Sequence, residues 1–210
     1  MYNFVVIEGN IGAGKTSLAK KLTAQYSARL ILERFADNPF LPKFYKDPLR
    51  YSFPLELSFL AERYNQLKNE LSSYYLFNNL IIADYFFMKS LIFARQTLPE
   101  DEFKLYRQLF DIIYNSLPKP DLYIYLYVDT EKLMGNIAKR GRSYEKKISH
   151  EYLNKINQGY FDFFKQQTKI KILVININGI DFVNNKNDYN KIHNAIFKSN
   201  YHYGLNTVKL

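Results

Sequence analysis

The residues best suited to chemistry lie near the start of the chain. Residues 9–17 are Gly9-Asn10-Ile11-Gly12-Ala13-Gly14-Lys15-Thr16-Ser17, preceded by an apolar run and followed by a helix-prone segment. This is the pattern G-x-x-x-x-G-K-[ST] of a phosphate-binding loop, in the strand-to-helix setting that such a loop requires. Lys15 is expected to reach the outer phosphates and Thr16 to hold Mg²⁺. The pattern predicts that the protein binds a nucleoside triphosphate.

Two carboxylates follow the next apolar runs along the chain. Glu33 ends the run 29–33, and Asp84 ends the run 80–84. Ligands of parallel sheets bind at the carboxyl ends of the strands, so we expect Glu33 to face the γ-phosphate from the acceptor side. Asp84 fits the carboxylate that assists Mg²⁺ in phosphate-loop enzymes.

A short basic segment, Arg140-Gly141-Arg142, joins two helix-prone stretches. Two arginines on a glycine-containing hinge can close over a transferring phosphoryl group and neutralise its charge in the transition state. We therefore predict a lid in which Arg140 and Arg142 take part in catalysis.

Glu56 and Arg63 lie seven residues apart in a long predicted helix, 51–71, and so share one side of it. A charged pair on a helix is most often solvated. A neighbouring segment rich in Phe and Tyr, 40–45, supports a second interpretation, in which the pair contacts the polar edge of a base.

The elements that must position these residues alternate along the chain, which predicts parallel strands joined by right-handed crossovers. The predicted strands are 2–8, 29–33, 80–84, 122–128 and 172–176. The predicted fold class is α/β, a phosphate-loop kinase fold with a five-stranded parallel sheet, helices on both faces and an Arg-rich lid. We expect one domain over residues 1–198 and a poorly ordered tail over 199–210.

Composition limits the class of protein. Apolar residues make up 47% of the 210 residues, and the absence of cysteine excludes disulfides and cysteine–metal sites. No apolar run is long enough for a membrane span, and the chain enters its first strand directly, so we expect no signal peptide and a cytoplasmic protein. The net charge of +9 is scattered, which suits a site for several phosphates better than a nucleic-acid polymer.

One string, Asn185-Lys186-Asn187-Asp188, is typical of guanine recognition in switch GTPases. The sequence has no Asp-x-x-Gly switch motif after the third predicted strand, and its length leaves little room for a motor ATPase. The lid arginines therefore favour a small-molecule kinase.

Four strings, in order along the chain, resemble the deoxynucleoside kinase family. They are Glu-Gly-Asn-Ile-Gly-Ala-Gly-Lys at 8–15, Tyr-Lys-Asp-Pro-Leu-Arg-Tyr-Ser-Phe at 45–53, Ile-Phe-Ala at 92–94 and Arg-Gly-Arg-Ser-Tyr-Glu at 140–145. The second string and the lid together are specific to the family. The resemblance spans about residues 4–182 and implies transfer of the γ-phosphate of ATP to the 5′-hydroxyl of a deoxynucleoside. It also implies a homodimer, and a contact of Asp181 and Phe182 with the base of ATP.

The resemblance implies further roles on the acceptor side. Glu33 accepts the proton of the 5′-hydroxyl, which is otherwise a poor nucleophile. Tyr45 and Glu145 hydrogen-bond the 3′-hydroxyl of the sugar. Phe93 stacks on the base, and Arg63 contacts it from the long helix.

Three positions depart from the family's pattern. Asp84 is followed by Tyr85, where the family has an arginine that contacts the 5′ end of the substrate. Arg34 and the lid arginines are candidates to replace it. Asn136 stands where the family has a second lid arginine, and Glu56 stands where it often has glutamine.

Glu56 suggests which base is preferred. An ionised glutamate only accepts hydrogen bonds, which suits the N1–H and N2–H₂ donors of guanine. The hypothesis is a purine deoxynucleoside kinase that prefers deoxyguanosine to deoxyadenosine. Two alternatives remain open: a nucleoside monophosphate kinase, for which Arg34 and Arg63 are the available acceptor-side arginines, and a catalytically weak nucleotide-binding homologue.

Overall fold

A computed structural model of the chain describes residues 2–34, 38–72 and 80–210. Within them, six strands form one parallel sheet in the order β2-β3-β1-β4-β5-β6. The strands are β1 (Phe4–Gly9), β2 (Arg29–Ile31), β3 (Ile81–Ala83), β4 (Leu122–Tyr127), β5 (Lys171–Asn176) and β6 (Gly204–Lys209). The predicted α/β class and parallel sheet are confirmed.

Helices connect the strands on both faces of the sheet. They are α1 (Lys15–Tyr26), α2 (Leu41–Lys46), α3 (Pro48–Leu71), α4 (Met88–Thr97), α5 (Glu100–Tyr114), α6 (Thr130–Arg140), α7 (His150–Lys165) and α8 (Lys186–Phe197). A 3₁₀ turn, Ser143–Lys147, lies between α6 and α7. No helix in the described part of the chain is both long and apolar enough to cross a membrane.

The two-residue period of the strands divides the core into two layers. Phe4 and Val6 of β1 pack with α3, α4, α5 and most of α7, whereas Val5 and Ile7 pack with α1, α6 and α8. Both faces of the sheet are therefore covered, and a strand covered on both faces needs apolar residues at every position. This is why the central strands are continuous apolar runs in the sequence.

The predicted number of strands and the predicted poor order of the tail are wrong. β6 pairs with β5 from Gly204 opposite Lys171 to Lys209 opposite Asn176. Its residues are half-buried or exposed because it lies at the edge of the sheet. An edge strand needs no continuous apolar run, so Gly-Leu-Asn-Thr-Val-Lys lacks the pattern that marks the buried strands.

Parallel pairing places the carboxyl ends of β1, β2, β3 and β4 at one edge of the sheet. The phosphate-binding loop follows β1, Glu33 follows β2, and Asp84 follows β3. The topology therefore brings together residues that are as much as 75 positions apart in the sequence, counted from Gly9 to Asp84.

Candidate active site

The loop between β1 and α1 depends on two glycines. Gly12 and Gly14 have φ angles of 84° and 87°, in the left-handed region that favours glycine. A Cβ on Gly12 would lie 3.1 Å from Leu133 O and from Ile137 Cγ1, and one on Gly14 would lie 3.0 Å from Phe182 Cζ. Both glycines are thus required by the backbone conformation and by the close approach of neighbouring residues.

Lys15, the first residue of α1, folds back over this loop. Its Nζ donates to the carbonyl oxygens of Gly9 and Asn10, at 3.0 Å each. Burial, and then the charge of Lys89, lower the pKa of Lys15 to about 8. A phosphate bound in the loop would supply the opposite charge that Lys15 needs and would raise its pKa again.

Thr16 and Asp84 bring two oxygen atoms together beside the loop. The Oγ1 of Thr16 donates to Oδ2 of Asp84, and Oδ1 of Asp84 accepts from the backbone N–H of Glu33 at 2.8 Å. Mg²⁺ binds hydroxyl and carboxylate oxygens and usually takes its remaining ligands from substrate phosphates and water. The two residues therefore fit the predicted Mg²⁺ site, and Asp84 links that site to Glu33.

Glu33 is bound by two cations, and Glu33, Arg63 and Lys89 are here termed the acceptor clamp. Its Oε1 accepts from Nε and Nη2 of Arg63 at 3.0 and 2.7 Å, and its Oε2 accepts from Nζ of Lys89 at 2.5 Å. None of the three side chains is more than 10% exposed. Burial alone would raise the pKa of Glu33, but the charges of Lys89 and Arg63 lower it to about 2.

Glu56 is buried on the same side of α3 as Arg63, so the solvated interpretation of this pair is wrong. Its Oε1 accepts from Thr97 Oγ1 at 2.9 Å. Its Oε2 is buried without a hydrogen-bond partner among the described residues. Burial raises the pKa of Glu56 to about 7, although the charge of Arg63 acts in the opposite direction. A buried oxygen without a partner in a cavity wall is a position at which a ligand can donate a hydrogen bond.

Apolar and aromatic side chains complete the wall beside Glu56. They are Leu41, Phe44, Leu55, Phe59 and Phe93. Tyr45 also lines the cavity and stacks on Tyr144, with ring centroids 6.0 Å apart. Burial, and then the charge of Glu145, raise the pKa of Tyr45 above its usual range. Tyr45 is therefore a neutral hydroxyl that can donate to a ligand.

Arg140, Arg142 and Glu145 form a second charged group, here termed the lid cluster. Arg140 Nη2 lies 2.7 and 2.6 Å from the two carboxylate oxygens of Glu145, and Arg142 Nη1 lies 3.2 Å from Oε1. The two arginine side chains are about one-third exposed, and Glu145 is buried. Gly141 ends α6 in a left-handed conformation and turns the chain back, which allows both arginines to reach Glu145.

One cavity that opens to solvent brings most of the predicted site residues together. Those that line it are Ile11, Lys15, Thr16, Glu33, Tyr45, Glu56, Arg63, Asp84, Phe93, Arg140, Arg142 and Glu145. Asp181 and Phe182 lie outside this lining. Phe182 is buried against Gly14, and Asp181 accepts hydrogen bonds from the backbone of Val183 and Asn184.

Lys89 is the main site residue that the sequence motifs do not reveal. It belongs to no recognised string, and the available signal is a charged residue inside the apolar stretch 85–94. Arg34, a candidate for the missing arginine, is exposed and lines a separate hollow with Asn38 and Glu62. Asn136 donates to the carbonyl oxygen of Gly12 at 2.8 Å, so it supports the phosphate loop.

The wall of this cavity combines cations, carboxylates and hydroxyl groups. Lys15 and Thr16 line it next to the phosphate-binding loop, and the acceptor clamp lines it as well. Phosphoryl transfer requires mainly positioning and electrostatic stabilisation of charge, and both are supplied by these groups.

Comparison with known sequences gives a consistent set of relatives. A family model for deoxynucleoside kinases matches residues 5–200. A deoxyguanosine kinase from Bacillus subtilis is 37% identical over 193 residues, covering 90% of this chain and 93% of that protein. A deoxyadenosine kinase from Dictyostelium discoideum is 34% identical, covering 85% of this chain and 73% of that protein.

Comparison with solved structures finds deoxyadenosine kinases as well. A deoxyadenosine kinase from M. mycoides with bound dCTP has a TM-score of 0.78 and is 26% identical, covering 93% of this chain and all of that one. The same enzyme with bound dATP has a TM-score of 0.77 and is 25% identical, covering 92% and 98% of the two chains.

Proposed function

The chain belongs to the deoxynucleoside kinase family and is an ATP-dependent kinase of deoxynucleosides; we propose that it phosphorylates the 5′-hydroxyl of a purine deoxynucleoside. One observation carries the proposal. Lys15, Thr16, the acceptor clamp and Glu56 all line a single cavity, and one buried oxygen of Glu56 has no hydrogen-bond partner among the described residues. The cavity thus has a place for phosphates, for a hydroxyl and for the edge of a base.

In the proposed reaction, the 5′-oxygen forms a bond to the γ-phosphorus, and the bond from that phosphorus to the β-γ bridging oxygen breaks. The electron pair leaves with ADP, and the proton of the hydroxyl passes to Glu33. A carboxylate with a pKa of about 2 is a weak base, so the proton moves late, after the oxygen has begun to bond to phosphorus. Glu33 therefore acts first by orienting the hydroxyl.

Glu56 supports the preference for purines. When ionised, it can accept hydrogen bonds from both N1–H and N2–H₂ of guanine. When protonated, it has one donor and one acceptor, like glutamine, and suits adenine as well. Since the pKa of Glu56 is about 7, the preference for deoxyguanosine over deoxyadenosine is expected to rise between about pH 6 and pH 8.

Further parts of the proposal are a Mg²⁺ ion held by Thr16 and Asp84, closure of Arg140 and Arg142 over the transferring group, and a cytoplasmic homodimer. Mg²⁺ neutralises charge on the β- and γ-phosphates of ATP. The lid arginines add positive charge from the opposite side once they leave Glu145. Tyr45 and Glu145 would hold the 3′-hydroxyl, and Phe93 would stack on the base.

The test is phosphate transfer from ATP and Mg²⁺ to each of four deoxynucleosides, the matching ribonucleosides and the monophosphates. We expect a purine deoxynucleoside to be phosphorylated best, and Glu33→Gln to lower kcat by about 10²-fold or more, as loss of a general base does. Turnover of monophosphates alone would show that the acceptor pocket is misassigned. Binding of ATP without any turnover would indicate a catalytically weak homologue.

Base preference is tested separately with Glu56→Gln. The ratio of kcat/KM for deoxyguanosine to that for deoxyadenosine should fall, and its dependence on pH should disappear, because an amide does not ionise. An unchanged ranking of the four deoxynucleosides would show that Glu56 does not select the base.

A further inference from the structure

Lys89 lies at the start of α4 with its ammonium group in the wall of the cavity. It is 8% exposed overall, so its charge is largely removed from water. Isolated buried charges are costly, and a buried lysine therefore needs a partner or a function. Its partner is Oε2 of Glu33, at 2.5 Å.

The hydrogen bonds that Glu33 accepts show how many acceptor positions of its carboxylate are occupied. A carboxylate has about four acceptor positions, two on each oxygen. Arg63 occupies both positions on Oε1, through Nε and Nη2, and Lys89 occupies one on Oε2. No other donor among residues 2–34, 38–72 and 80–210 reaches the carboxylate, so within this part of the chain one acceptor position remains, on Oε2. Glu33 lines the cavity.

Ser90 completes the arrangement, because its Oγ accepts from Nη1 of Arg63 at 2.9 Å. Two adjacent residues of α4 thus contribute to the clamp. Lys89 supplies one of its two cations, and the hydroxyl of Ser90 binds the other, Arg63. Lys89 also lies over the ring of Phe93, 5.4 Å from its centroid, and Arg63 lies over Phe59 at 4.7 Å. These contacts restrict where the two cations, and therefore Glu33, can move.

We propose that Lys89 is a positioning residue of the kinase reaction: together with Arg63 it fixes Glu33 so that the acceptor position that the described residues leave on Oε2 receives the hydroxyl of the substrate. This inference rests on the proposed function, because it needs a hydroxyl as the acceptor. Lys89 thereby serves at the acceptor end of the cavity, where the sequence lacks the arginine expected after Asp84. The transferred proton passes to the same Oε2, and Lys89 keeps its own proton throughout.

The test compares steady-state phosphorylation of deoxyguanosine and deoxyadenosine by Lys89→Met, Lys89→Arg and a matched control, Arg95→Met. Arg95 is on the same helix but in an exposed ion pair with Glu100. For Lys89→Met we expect kcat to fall by about 10²-fold while KM for the deoxynucleoside changes by less than about threefold. Lys89→Arg should recover at least about tenfold of the loss, and Arg95→Met should retain wild-type kcat.

Lys89→Met in the Glu33→Gln background separates positioning from a general structural role. Residues that act as one unit are not additive, so the double variant should be within about twofold of Glu33→Gln alone. Multiplication of the two losses would overturn the proposal, as would a rise in KM with kcat unchanged, which would indicate contact with the base. If Lys89→Met does not fold, Lys89→Gln replaces it, and a kcat within about twofold of wild type would overturn the proposal equally.

The wild-type assay distinguishes failure of the proposed function from failure of the proposed role of Lys89. If the wild-type protein phosphorylates none of the deoxynucleosides, the proposed function itself is wrong. If it is active and folded Lys89 variants are equally active, only the role of Lys89 is wrong.

Discussion

The acceptor clamp and the lid cluster have the same composition in charge, one carboxylate between two cations, but they differ in how the chain builds them. The clamp joins Glu33 to residues 30 and 56 positions later, from α3 and α4. The lid cluster is contained in residues 140–145. Clamp side chains are at most 10% exposed, whereas the lid arginines are about one-third exposed.

This difference indicates different functions. A buried ion pair has lost most of its hydration and is held by the surrounding packing, so it stays formed. A partly exposed pair exchanges easily with water, so its arginines can leave Glu145 for a phosphate at little cost. We therefore expect the clamp to keep one geometry and the lid cluster to change its geometry when a phosphate binds.

The largest expected contrast is in the free energy of unfolding. Arg63→Met leaves Glu33 buried with one cation fewer, and should lower the unfolding free energy by about 3 kcal/mol or more. Arg142→Met removes a partly exposed pair and should lower it by less than about 1 kcal/mol. Chemical denaturation of both variants measures the contrast, and equal losses would show that the clamp is not the more rigid group.

The dependence of the unfolding free energy on pH tests the clamp in a second way. The pKa of Glu33 is about 2 in the folded protein and its ordinary value is 4.5, so its ionised form stabilises the fold above about pH 4.5. That stabilisation is lost as the pH falls toward about 2, and amounts to on the order of 3 kcal/mol. The difference in unfolding free energy between wild type and Glu33→Gln should shrink by this amount across that range. A constant difference would contradict the low pKa of Glu33.

Glu145→Gln tests the lid cluster by binding. Loss of the charged acceptor should raise KM for the deoxynucleoside by about tenfold, because a hydrogen bond to a charged group contributes roughly 1.5 kcal/mol or more. The unfolding free energy should change by less than about 1 kcal/mol, since water can solvate both arginines. A 3′-deoxy substrate provides the control, because it should not distinguish the variant from wild type.

The smallest expected effect is that of salt on amide hydrogen exchange. Raising the ionic strength from about 0.05 M to about 1 M screens exposed charges and leaves buried pairs nearly unaffected. Amide hydrogen exchange in Ser143–Lys147 should therefore accelerate by a few-fold, whereas exchange in α4 should not. Equal acceleration in both segments would mean that the two groups are equally accessible to ions.

The same comparison explains what the sequence could predict. The lid is local, so Arg140, Gly141, Arg142 and Glu145 are visible as one string. The parallel sheet was predictable because strands buried on both faces are apolar throughout. The position of Glu33 and Asp84 at the carboxyl edge of the sheet was predictable because each lies at the end of such a run.

Lys89 could not be found in this way. Its contact with Glu33 depends on the distance between α4 and the end of β2, which follows from helix packing and not from a local pattern. β6 was missed for the opposite reason, because an edge strand needs few apolar residues. Glu56 and Arg63 lie on one side of α3 as predicted, but only the packing of α2 and α4 against α3 shows that this side is buried.

β6 has a practical consequence for handling the protein. Removing the residues after Ser199 would uncover the backbone N–H and C=O groups of β5 along Lys171–Asn176, a strand with an apolar centre. Such an edge is a template for pairing with other chains, so a shortened protein should aggregate where the full chain does not. An affinity tag should therefore not replace β6.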